Sequence, residues 1–467
     1  MPPAWLLCVF GCCAAYALYL RRPLTTGWAH LRINALLRLI NALLIIPCLC
    51  KDYLGLDVPA SLGYMLARPL SVADLMRVAE KRTKLSDWEL SETFPLLFDD
   101  AVRAMNAVPA SNFGRLIQFD YLLRRLMTRL RVVEACKARP PRPDLSKAPI
   151  IVMGLPRTGT TLMHRLLSLD PANRCPRTFE LLEPLPGTGK RASEESRIKY
   201  TTAKLNLIKR VIPQISAIHE LGATEAEECL LGLSVEVPLL PPTFRPIIQQ
   251  QVRRAQAGAG FVDLRNGYRL YRRQLEFIAE AQDRRIGAAA AAARRWVLKC
   301  PCHVAFVSAL ADAFPDAKVV WMHRDPADSL PSLGSMFRTF ADMCDAGPVD
   351  LHAVGREQYE FWSRAIKKAD ADLATSALDH KHVRFTDFTA NPVGTVKQVY
   401  AKLGLKVSPE FEAAMLAYLE DNASKRASIP AHLKKFHGYS CEEYGLSKEF
   451  LREEMEDYYE THLARAE

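Results

Sequence analysis

One loop constrains this chain more than any other feature: Gly154-Leu155-Pro156-Arg157-Thr158-Gly159-Thr160-Thr161. A short apolar run, Ile150–Met153, precedes it, and an apolar-periodic segment (Leu162, Met163, Leu166, Leu167, Leu169) follows. Strand, glycine-bearing turn and helix in that order gather backbone N–H groups and the positive end of a helix dipole around one point, which is a cradle for an anion. The spacing fits Gly-x-x-x-x-Gly-Lys-[Ser/Thr] with one departure: Thr160 stands where the lysine belongs. That lysine normally reaches the terminal phosphates of a nucleoside triphosphate. A loop that keeps the cradle without the lysine is expected to hold a different phosphate ligand, with Arg157 as its cation.

The surrounding pattern predicts the fold. Residues 51–137 read as helical, with 3.6-residue apolar spacing over Val72–Lys84 and Phe113–Cys136. A proline-rich stretch, Ala138–Pro149, leads into the first strand. Beyond it, strand candidates Ile150–Met153, Trp296–Lys299, Lys318–Met322 and His382–Phe385 alternate with helical segments such as His303–Phe314 and Pro392–Leu403. That alternation predicts a parallel sheet covered by helices on both faces. Ligands bind such sheets at the carboxyl ends of the strands, where the Gly154 loop, Lys299 and Arg324 all fall. Gly287–Arg295 reads as a low-complexity surface insertion, and Glu442–Glu467 as a charged terminal helix. The division expected is 1–50, a hydrophobic anchor or amphipathic region; 51–148, a helical region; and 149–467, the ligand-binding domain.

Charge and cysteines narrow the partners. The net charge of +10 comes from scattered lysines and arginines without a long basic run, which suits an anionic small ligand and excludes a nucleic-acid footprint. The twelve cysteines show no repeated zinc-ligand spacing, and Cys300 and Cys302 read as packing residues. Residues 1–20 carry no charged side chain and are followed by Arg21 and Arg22, which predicts a single N-terminal membrane anchor. The 31–50 stretch, interrupted by Arg32, Asn34, Arg38 and Asn41, fits an interfacial helix better than a second span. A Golgi or endoplasmic-reticulum membrane follows from that anchor, with a lumenal or a cytosolic catalytic face both open.

Four pieces in order carry a resemblance: GLPRTGTTLMHRLLSLDP; the strand Trp296–Lys299 running into Cys300-Pro301; the strand that runs into Met322-His323-Arg324-Asp325-Pro326, with Ser332 eight residues after Arg324; and Val383–Phe388 followed by NPVGTVKQVYAKLGL. Together they resemble the sulfotransferases that use 3′-phosphoadenosine 5′-phosphosulfate (PAPS), from about Leu70 to the C-terminus, and the loop is also similar to that of tyrosylprotein sulfotransferases. The resemblance implies a P-loop NTPase-like three-layer α/β fold and transfer of a sulfuryl group from PAPS to a hydroxyl acceptor, a glycan, lipid or other alcohol. It implies that Pro156, Arg157, Thr158, Gly159, Thr160 and Thr161 hold the 5′-phosphosulfate, and that Arg324 and Ser332 hold the 3′-phosphate. A guanidinium fork matches phosphate oxygens better than a lysine point charge does. Lys299 is placed beside the transferring group, where negative charge grows as the S–O bond breaks, and no metal is expected to take part.

The acceptor hydroxyl needs a general base. Glu180, just beyond the loop helix, and His303, four residues after Lys299, are the two choices, and the sequence leaves both open. His219 and Glu225, in a stretch the family shares, are expected to shape the acceptor pocket. His323 reads as structural beside Arg324. Two other functions fit the same fold: a P-loop nucleoside-triphosphate kinase, which the Thr160 replacement opposes, and a catalytically inactive, membrane-tethered binding protein. Acceptor identity and oligomeric state are not legible.

Overall fold

The computed structural model describes residues 69–464 except 90–93, 95, 111, 140–146, 186–192, 212–214, 216–220, 237–240, 287–293, 345–348 and 428–438. Its centre is a parallel sheet of β1 (Ile150–Gly154), β2 (Asn173–Arg174), β3 (Arg295–Lys299), β4 (Lys318–His323) and β5 (Asp379–Arg384), in the order β2-β3-β1-β4-β5. Every neighbouring pair is parallel; Ile150 sits between Val297 of β3 and Lys318 of β4. The chain leaves β1 toward one side and crosses to the other between β3 and β4. The carboxyl end of β1 is therefore the topological switch point, where a crevice opens.

β1 is buried along its whole length, and its side chains alternate between two cores. Ile151 and Met153 join Leu298, Val319 and Trp321 under Tyr268, Tyr271, Leu333, Phe361 and Trp362. Ile150 and Val152 join Val297, Val320 and Met322 under Met163, Leu166, Val396, Tyr400 and Phe411. Helices thus cover both faces, giving the three-layer α/β arrangement expected, and the continuous apolar runs in β1 and β4 are what double burial requires.

The helical region adds its own core. Helix α1 (Val72–Thr83) is capped by Ser71, whose hydroxyl accepts from the Asp74 amide at 3.3 Å. With α2 (Leu96–Asn106) and α3 (Asn112–Ala138) it buries Leu75, Phe94, Phe98, Leu122, Leu126 and Leu130. Two arginines of α3 fix this layer to the sheet domain. Arg125, 1% exposed, donates to the carbonyls of Leu182 and Leu231 at 3.0 and 3.2 Å. Arg129 pairs with Glu236 and donates to the Trp88 and Glu89 carbonyls at 3.0 Å each, with its guanidinium 3.7 Å from the Phe94 ring centroid.

Three expectations are corrected. The last strand runs Asp379–Arg384, not 382–385; it is a polar edge strand, and Phe385 already opens the next helix, α4 (Phe385–Ala390). The terminal segment is not one helix. It breaks into a 3-10 turn (Glu442–Tyr444), α5 (Lys448–Glu454), α6 (Glu456–Tyr458) and a π-helical turn (Tyr459–Leu463). Gly445, at φ +64°, and the non-helical Met455 separate these pieces. Third, the membrane localisation is withdrawn: among the described residues no helix is long and apolar enough to cross a membrane. The 1–20 and 31–50 segments that carried that expectation lie outside the described residues, as does the 287–293 part of the insertion.

Candidate active site

The Gly154 loop is shaped by contacts no other residues would permit. Gly154 has φ +151°, and a Cβ there would lie 2.3 Å from the Met322 carbonyl oxygen of β4. Gly159 has φ +85° and sits against the Phe385 ring, as the first residue of the turn into helix Thr160–Ser168. Arg157, not glycine, also takes a left-handed φ of 71°, a conformation that costs energy and concentrates at ligand sites. The Thr158 hydroxyl donates inward to the Leu155 carbonyl at 2.7 Å, and the residue is fully buried. Its side chain therefore closes the loop and does not face a ligand. Thr160 is 3% exposed; Pro156, Arg157 and Thr161 are half-buried.

Residues 167 and 175 positions downstream close on this loop. Arg324, directly after β4, donates from Nη1 to the Arg157 carbonyl at 3.0 Å, and its guanidinium lies 4.4 Å from the Phe385 ring centroid. Ser332 Oγ accepts from Arg157 Nε at 3.0 Å. The two residues expected on a 3′-phosphate are therefore joined to the loop expected on the 5′-phosphosulfate. Arg324 Nε is buried without a hydrogen-bond partner among the described residues, a donor that fits an anion. On the far side of Arg324 from the loop a cavity of about 930 Å³ is lined by Arg324, Arg384 and Arg452 together with carboxylates such as Asp328, Glu449 and Glu453, and by none of the loop residues. Sequence reasoning passed over Phe385, although an aromatic at a strand end beside an arginine is a readable signal.

Lys299 ends β3 with its side chain 1% exposed. Its ammonium donates to Thr161 Oγ1 at 3.2 Å and pairs with Glu228. The main chain fixes that carboxylate, because the Cys229 amide donates to the Lys299 carbonyl at 2.9 Å. Glu228 was missed in the sequence. It stands in a run, Glu225, Glu227, Glu228, whose members reading alone cannot separate; in the fold, Glu225 pairs with Arg165 and Glu227 is buried near Thr178.

Glu180 is elsewhere engaged. Its carboxylate accepts from the Arg177 amide at 2.9 Å, from Arg177 Nη2 at 2.5 Å and from Gln282 Nε2 at 3.0 and 3.1 Å, and the residue is 3% exposed. It closes the first turn of the helix Thr178–Leu182 as a capping box. The structure sets Glu228 on Lys299, not Glu180. His303 is buried; Nδ1 lies 2.7 Å from the Tyr268 hydroxyl, and Nε2 has no hydrogen-bond partner among the described residues. Burial first, then the Lys299 charge, push His303 down to about 3. His219 lies outside the described residues.

The sulfotransferase family profile matches residues 149–409, more than half of the chain. The chain belongs to the sulfotransferase family. It is a transferase that moves a sulfuryl group to a hydroxyl acceptor, and membership implies PAPS as donor. The omega-hydroxy-beta-dihydromenaquinone-9 sulfotransferases Stf3 of Mycobacterium bovis and Mycobacterium tuberculosis are each 21% identical to this sulfotransferase over 300 residues, covering 61% of this chain and 70% of the relative. The crystal structure of STF1 from Mycobacterium tuberculosis superposes with a TM-score of 0.66 at 25% identity, over 83% of this chain and 98% of that one. STF9 from Mycobacterium avium gives 0.67 at 22% identity, over 84% and 96%, a likeness of fold.

The site also sets a pH dependence. His164, on the loop helix with Nε2 3.2 Å from the Val297 carbonyl, is pushed to about 3 by burial and then by Lys299, as His303 is. Both folded values lie below the unfolded one. Between about pH 3 and 6.5 the unfolded chain therefore binds more protons. Stability is full above pH 6.5 and falls as the pH drops. Urea unfolding of this sulfotransferase at pH 7 and pH 5 is expected to differ by about 2–4 kcal/mol from these two groups. A pH-5 stability equal to that at pH 7 contradicts their burial as neutral imidazoles.

Proposed function

We propose that this sulfotransferase binds PAPS with the 5′-phosphosulfate in the Gly154–Thr161 loop and the 3′-phosphate on Arg324 and Ser332, and that Lys299 and Glu228 carry the transfer. One observation supports it most: the buried Lys299 ammonium, at the switch point, touches both the loop hydroxyl of Thr161 and a carboxylate. In the reaction the acceptor oxygen attacks sulfur, the bond from sulfur to the phosphate oxygen breaks, and adenosine 3′,5′-bisphosphate (PAP) leaves. Glu228 takes the acceptor proton, and Lys299 stabilises the charge that grows on the leaving oxygen. Glu180 holds its helix through Arg177 and Gln282. His303, neutral at working pH, offers Nε2 to the acceptor hydroxyl as a hydrogen-bond partner. Because relatives carry the name of an omega-hydroxy dihydromenaquinone sulfotransferase, an amphiphilic alcohol is the first acceptor class to assay.

Thermal unfolding with PAP, AMP or magnesium ATP tests the donor site, since a ligand of the folded state raises the midpoint as ln(1 + [L]/Kd). PAP is expected to raise it without magnesium, and AMP to raise it little. Arg324→Ala is expected to weaken PAP by about 1–3 kcal/mol. A rise with magnesium ATP alone, or an unchanged PAP affinity in Arg324→Ala, overturns the assignment.

A further inference from the structure

We propose that His323, His382 and His462 form a binding site for a divalent transition-metal ion of the zinc class. The three come from separate segments: the end of β4, the edge strand β5 and the terminal π-helical turn. One ring nitrogen of each lies within 4.8 Å of the other two. A tetrahedral ion with bonds of about 2.0–2.1 Å needs such nitrogens about 3.3 Å apart. His323 Nε2 and His382 Nδ1 are already 2.8 Å apart.

The outer nitrogens are held as ligating histidines require. His462 Nε2 lies 3.0 Å from Asp370 Oδ1, which accepts its proton and leaves Nδ1 with a free lone pair. His323 Nδ1 lies 3.2 Å from the Tyr458 hydroxyl, which in turn donates to the Arg324 carbonyl at 3.4 Å. That chain makes Nδ1 the protonated nitrogen of His323 and Nε2 the bare one. Without metal, His382 Nδ1 donates to the bare His323 Nε2, and binding an ion requires that proton to move to His382 Nε2, which the exposed sheet edge leaves open to solvent. The inward set is thus His323 Nε2, His382 Nδ1 and His462 Nδ1.

The His462 ring stacks on His323 at 4.2 Å and 6°, and a metal must lie in the plane of each ring, so coordination turns His462 out of that stack. The π-helical turn that presents His462 is a local irregularity of the kind that recurs at functional sites. Trp321 packs 4.9–5.4 Å from all three rings and supplies an apolar floor. His323 also lines the cavity beside Arg324, which gives solvent a route to a fourth position. Three imidazoles without thiolate or a second carboxylate suit zinc, cobalt, nickel or copper, not magnesium or calcium. The inference is independent of sulfuryl transfer.

The test uses the full chain without a polyhistidine tag, stripped with a chelator and titrated with Zn²⁺ by calorimetry and with Co²⁺ by visible absorption. The expected result is one ion per chain, with tetrahedral Co²⁺ bands that Zn²⁺ displaces. His382→Gln, at an exposed edge position, is expected to weaken binding roughly 100-fold or more, and Asp370→Asn about 10–100-fold through the loss of its hold on His462. His462→Gln repeats the first outcome should His382→Gln melt early without metal. No stoichiometric binding by the natural chain overturns the site. So does natural affinity in both histidine variants, which places the ion elsewhere, such as on the cysteines.

Discussion

Lys299→Met is expected to slow sulfuryl transfer about 10²–10³-fold while leaving PAP held within about tenfold, the signature of a group that acts on charge formed only in the transition state. The lysine is 1% exposed, so its cation works at low effective dielectric, and Thr161 fixes its direction. Glu228→Gln is expected to cut turnover roughly 100-fold or more with PAP affinity preserved. The companion variant separates the two carboxylates. Glu180→Gln loses a charge-assisted contact to Arg177 and is expected to lower the melting point with little change in rate per folded molecule. Should Glu180→Gln slow turnover at unchanged stability and Glu228→Gln not, the base is Glu180. Single-turnover kinetics with bound PAP measured separately reads all three.

Glu236→Ala is expected to destabilise the protein by about 3–5 kcal/mol, because it strands the Arg129 guanidinium in a dry site. The two side chains are 3% and 2% exposed. The Trp88 and Glu89 carbonyls and the Phe94 ring satisfy only part of the charge left behind. The double change Arg129→Met with Glu236→Leu is expected to recover most of the loss, since removing both charges also removes the cost of burying them. Denaturant unfolding of the three variants gives the cycle; a single-variant loss below about 1 kcal/mol would show the pair to be solvated. The stakes are architectural. With Arg125 on the Leu182 and Leu231 carbonyls, this pair makes the helices before residue 139 a part of the catalytic body.

How legible all this was depended on local signal. The central strands were readable because burial on both faces demands unbroken apolar runs, as in Ile150–Met153 and Val319–Met322. β5 was misplaced because an edge strand needs no such run, and Asp379-His380-Lys381 reads as loop. β2, two residues long, carries no periodicity. Arg157, Lys299, Arg324 and Ser332 were singled out through a motif, and the fold brings Arg324 and Ser332 onto Arg157 and Lys299 onto Thr161. Glu228 was hidden among neighbouring glutamates, and only the amide of Cys229 on the Lys299 carbonyl decides which one faces the lysine. The three histidines, at 323, 382 and 462, were invisible as a group because sheet order, not spacing, brings them together.

The strand order has a consequence for synthesis. β1 is made first, yet it is central: both of its partners, β3 and β4, lie well over a hundred residues downstream. The wall against which Gly154 is pressed, the Met322 carbonyl, does not exist until the ribosome has passed β4. At about 5–20 residues per second, the nascent loop waits on the order of 10–30 s for β4, and for most of that time neither edge of Ile150–Met153 has its partner. During that interval the helices before residue 139 are already available to collapse on their own apolar cluster. Vectorial emergence thus lets the helical layer form before the sheet that it braces, and leaves the anion cradle without its wall until β4 and Phe385 have been made.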